Sequence, residues 1–67
     1  MKSKKELYVT AKATVSCAHF KIGEFVSIKF SHYGNDGKVW YSIDSTQNGP
    51  LPFIISYPEN HLSNFCL

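Results

Sequence analysis

A chain of 67 residues has room for one domain and only a small core, so a large enclosed active site is excluded. Hydrophobic residues make up 43% of it and charged residues only 18%, which places it among folded globular chains rather than disordered tails. The formal net charge of +2 is carried entirely by lysine, and without arginine the bidentate reading of guanine edges is missing, so specific nucleic-acid readout is disfavoured.

Lys2, Lys4 and Lys5 give residues 1–6 the character of a flexible basic start. It resembles the head of a signal peptide, but Glu6 and Lys12 interrupt the segment after it, and no continuous apolar stretch is present for secretion. A cytoplasmic location is expected, with no membrane association.

From Leu7 the pattern turns to strands. Leu7, Val9, Ala11, Ala13, Val15 and Cys17 alternate with polar residues and Tyr8, the period-two signature of one long strand with a buried and a wet face. Gly23 offers a tight turn, after which Val26, Ile28 and Phe30 share a face; Phe20 and Phe25 are positioned to cover the end of the core. Ser31 to Lys38 reads as a polar loop. Val39, Tyr41 and Ile43 then point inward, which turns Trp40 outward, where its large apolar body stays wet unless something covers it.

Asp44 to Pro50 is a second polar turn, followed by a strand over Leu51 to Tyr57 with Phe53, Ile55 and Tyr57 on one face. Pro58 suits the first position of a single 3-10 turn, and Ser63 to Leu67 forms a short last strand. The expected fold is all-β, with five strands and one short 3-10 turn before the last. Its core would hold Val9, Ala11, Ala13, Val26, Ile28, Val39, Tyr41 and Ile55.

Several of these stretches resemble the SH3-like barrels. Phe20 to Ile28 is similar to that family's diverging turn and the strand after it. Trp40 stands where the family carries a tryptophan, and Ser63, Asn64 and Phe65 after a one-turn helix resemble its Ser-Asn-Tyr element. The match covers roughly residues 20–67 and implies a closed five-stranded barrel over residues 7–67. In peptide-binding members, aromatic residues at the positions of Trp40 and Phe65 line a groove for proline-rich ligands. Similar barrels elsewhere bind RNA, subunits or modified lysines.

Cys17 and Cys66 are expected as small buried or half-buried hydrophobes; a bridge between the terminal strands is the geometric alternative. His19, His32 and His61 lack the short ligand spacing of a zinc site, and no nucleophile has a base and an orienting group beside it, so neither a metal or other cofactor nor catalysis is expected. What remains is an aromatic surface of Tyr8, Tyr33, Trp40 and Phe65, bordered by Lys12, Lys29 and Lys38. The sequence thus points to a small stand-alone module that binds a protein partner, or self-associates, through exposed aromatics. Weak, non-specific nucleic-acid backbone contact through lysines is the alternative.

Overall fold

A computed structural model describes residues 4–67. A 3-10 turn, Lys4–Glu6, precedes five antiparallel strands: β1 (Thr10–Ala13), β2 (Phe25–Tyr33), β3 (Val39–Thr46), β4 (Gly49–Pro58) and β5 (Leu62–Cys66). A second 3-10 turn, Glu59–His61, joins the last two. The strands form one sheet in the order β4-β3-β2-β1-β5. The all-β class, the five strands and the 3-10 turn before the last one are as the sequence indicated.

The closed SH3-like barrel is not. β4 and β5 are the two edges of the sheet and are not hydrogen-bonded neighbours, so the sheet remains open. β4 ends at Pro58, which still pairs with Trp40 of β3, and the turn after it carries the chain across to pair with β1 instead of back along β4.

The open sheet is nevertheless strongly curled. Tyr41 on β3 and Phe65 on β5 are three strand spacings apart in the sheet, about 14 Å if it were flat. Their ring centroids are 5.3 Å apart. Phe20, in the β1–β2 connection, likewise reaches Tyr57 on β4 at 5.8 Å. Curling lets a single sheet bury its own concave face, and Ala11, Ala13, Phe20, Val26, Ile28, Val39, Tyr41, Ile43 and Leu62 form that core. Ala11 and Ala13 are fully enclosed, as befits small side chains where backbones approach closely.

Two expected core residues are displaced. β1 is only four residues long, and its pairing with β5 shifts register between Thr10 and Lys12. Such a bulge reverses the alternation of faces. Ala11 and Ala13 stay inside, Val9 is turned out at 52% exposure, and Tyr8 packs against the core in its place. On β4 the ladder pairs Ile43 with Ile55 and then Ser45 with Pro50, so several β4 residues bulge against Asp44. Ile55 is only half-buried, and Phe53 leaves its expected face to stand exposed.

The turns are tighter than the sequence suggested. β2 runs through Tyr33, and the remaining loop closes when the Gly34 N–H donates to the Lys38 carbonyl at 2.7 Å. Cys17 and Cys66 are both free thiols.

Candidate functional site

The four aromatic residues singled out from the sequence fall into two groups. Tyr8 and Phe65 meet with ring centroids 5.0 Å apart, and Tyr41 completes the cluster from below. Each arrives by a different backbone device. The β1 bulge turns Tyr8 inward, the curl of the sheet brings Phe65 over β3, and Asn64 adopts the left-handed region at φ 49° just before Phe65. Around them Lys5, Glu59 and Asn60 complete a hollow of about 340 Å³.

Polar contacts hold its rim. The Tyr41 hydroxyl donates to the Lys5 carbonyl at 2.6 Å, fixing the first 3-10 turn over the edge of the cluster. The Lys5 ammonium lies 3.5 Å from Glu59 Oε2, in a pair whose lysine is more than half exposed. Burial, reinforced by the negative charge of Glu59, pushes the Tyr41 phenol up to about 12. The ring therefore stays neutral and the hydroxyl remains a donor throughout the physiological range.

Tyr33 and Trp40 belong to a second hollow of about 480 Å³, lined also by His32, Gly34, Asn35 and Asp36. Trp40 lies on the face opposite Val39, Tyr41 and Ile43, as its parity requires, and is half-buried. His32 stacks on it nearly parallel at 5.8 Å. Gly34 permits this placement, because a Cβ there would stand 2.7 Å from the indole nitrogen. The two hollows meet at the first 3-10 turn: Glu6, next to Lys5, accepts a hydrogen bond from the Tyr33 hydroxyl at 2.9 Å.

Sequence reasoning missed Lys5, Tyr41, Glu59 and Asn60 as members of the site. Tyr41 reads as core, which it also is, and only the curl of the sheet brings Phe65 over its ring to make it the floor of the hollow. Glu59 and Asn60 sit in a turn whose direction across the open sheet has no sequence marker. The bordering lysines are dispersed: Lys12 lies over the Phe25 ring at 5.7 Å, and Lys38 pairs with Asp36 at 3.6 Å.

Among the described residues, no three His, Cys, Asp or Glu side chains converge as metal ligands would, and no helix is long and apolar enough to cross a membrane. The chain matches no known protein family, no curated protein and no solved structure.

Proposed function

We propose that this chain is a protein-interaction module, and that its Tyr8, Tyr41 and Phe65 hollow receives a lysine or arginine side chain of a partner. The observation that carries this is the position of Lys5, whose ammonium already rests 3.5 Å from Glu59 at the mouth of an aromatic cluster. A partner's cation would take that place, with its aliphatic stem on the rings, its charge near their faces and its head on the Glu59 carboxylate. The volume, at the lower end of ligand sites, suits one long side chain better than a cofactor. Exposed ion pairs contribute little, so displacing Lys5 costs the partner at most about 1 kcal/mol.

The test is an amide and aromatic NMR titration with a blocked lysine peptide and its norleucine counterpart. The lysine peptide shifts Tyr8, Glu59 and Phe65 with a Kd on the order of 1 mM, the norleucine peptide binds several-fold more weakly, and Tyr8→Ala abolishes the response. Lys5→Ala strengthens binding by vacating Glu59. Equal response to both peptides, or shifts confined to Gly34 through Lys38, contradicts the reading. An RNA oligomer binding instead, with an affinity falling steeply as salt rises, would favour the phosphate alternative.

A further inference from the structure

The second hollow, at the β2–β3 turn, joins an aromatic wall to hydrogen-bonding groups of both kinds. His32 and Trp40 are near-parallel with centroids 5.8 Å apart, the spacing of offset rings, which leaves part of the half-buried indole uncovered. Ser31 Oγ, 2.9 Å from His32 Nδ1, orients the imidazole. The indole N–H meets no acceptor among the described residues. Beside Gly34, where a Cβ would stand, one point lies 2.7 Å from that nitrogen and 3.1 Å from Asp36 Oδ1. A donor and an acceptor so close fall within reach of a single bridging group that accepts from the first and donates to the second. A hydroxyl does both.

We propose that this hollow binds a neutral pyranose ring of a saccharide, its C–H face on Trp40 and one hydroxyl bridging the indole N–H and the Asp36 carboxylate. Charge favours a neutral ligand. Asp36 Oδ1 accepts from the Lys38 N–H at 3.1 Å, and Oδ2 lies 3.6 Å from the Lys38 ammonium. The backbone hydrogen bond holds the Asp36 carboxyl below its usual value, so it stays an ionised acceptor. An anion, a nucleotide phosphate included, would meet that carboxylate, and a cation would have to displace Lys38. A purely apolar ring would leave the indole N–H and the carboxylate without partners. A pyranose instead sets polarised C–H bonds against the negative face of the indole and hydroxyls around its rim. Asn35 offers a further donor and acceptor there, and the Tyr33 hydroxyl, which donates to Glu6, keeps a lone pair. The volume of about 480 Å³ lies within the range of small-molecule sites. His32, Tyr33, Asn35 and Asp36 are exposed, so the site is shallow and its affinity weak.

Nuclear magnetic resonance of the full chain tests this, because Trp40 is the only tryptophan and gives a single indole N–H signal. Methyl β-glucopyranoside and methyl β-galactopyranoside are each titrated to about 100 mM, and at least one shifts that signal and the Gly34 to Lys38 amides with a Kd on the order of 10 mM. Tyr8 and Phe65 stay unshifted, so this site and the lysine-accepting hollow succeed or fail separately. Trp40→Phe keeps an aromatic ring but removes the donor, and weakens binding at the Gly34 to Lys38 amides at least about fivefold. Asp36→Asn, which keeps a carbonyl to accept from the Lys38 N–H, weakens it about threefold by removing the charge from the acceptor. The titration of the unsubstituted protein decides the matter if either variant fails to fold. No shift with either glycoside, a stronger response to adenosine monophosphate than to both, or binding undiminished by Trp40→Phe overturns the inference.

Discussion

Tyr41 links the core to the candidate site. Its ring is almost completely enclosed, and its hydroxyl ties the first 3-10 turn to the sheet. Because burial raises the folded-state phenol to about 12, above the ordinary value of 10, the native state keeps a proton that the unfolded chain loses. That contribution, roughly 2 to 3 kcal/mol, is fully present below pH 10 and is lost as pH rises toward 12. Tyr41→Phe reduces the alkaline dependence, leaving the share of Tyr57, whose phenol is also raised by burial, at a cost of about 1 kcal/mol at neutral pH, measurable as denaturant midpoints across the alkaline range. A Tyr41→Phe variant with the same alkaline decline as the parent would show that another group titrates.

Two further positions are constrained by space and backbone. Gly34→Ala places a methyl group against the Trp40 indole, which must rotate off His32. The expected result is an altered tryptophan fluorescence spectrum and a stability loss of about 1 kcal/mol. An unchanged spectrum would place the indole elsewhere. At Asn64, the left-handed φ makes glycine neutral or slightly stabilising, and valine costs about 1 to 2 kcal/mol. Chemical denaturation of both variants checks this, and equal stability would remove the left-handed turn from the account of Phe65.

At the scale of the elements, the strands were legible because alternation persists wherever the ladder is regular. Val39, Tyr41 and Ile43 are buried and Trp40 is not, as parity alone requires. Alternation fails where a bulge intervenes, and a bulge leaves little trace in composition. Thus the run from Leu7 to Cys17 looks continuous on paper, whereas the strand spans only Thr10–Ala13 and the reversal exchanges Val9 for Tyr8. The same cause exposes Phe53 on β4. Of the six residues lining the candidate hollow, Tyr8 and Phe65 were therefore readable, but their meeting was not. It depends on a bulge and on the curvature of the sheet, both set by backbone pairing between distant segments.

For the whole molecule, the missing β4–β5 ladder and the curl of the sheet act together. An open flat sheet would leave its apolar face wet, and a chain this small has stability of only a few kcal/mol to lose. Curling removes most of that surface from water and, where β5 passes over β3, leaves a hollow rather than a closed seam. The smallest dimension of the molecule, 20 Å, is about twice the spacing at which separate sheets pack. One sheet therefore serves as both walls of the core, with the candidate site at the unsealed margin.

The most direct test of this account is a nuclear Overhauser spectrum of the aromatic side chains in solution. The curled, open sheet requires strong cross-peaks from the Phe65 ring to both Tyr8 and Tyr41, and from Phe20 to Tyr57, without backbone cross-peaks of a ladder between β4 and β5. A spectrum in which Phe65 contacts Tyr8 but not Tyr41 would flatten the sheet and abolish the hollow, and β4–β5 ladder cross-peaks would close it into a barrel.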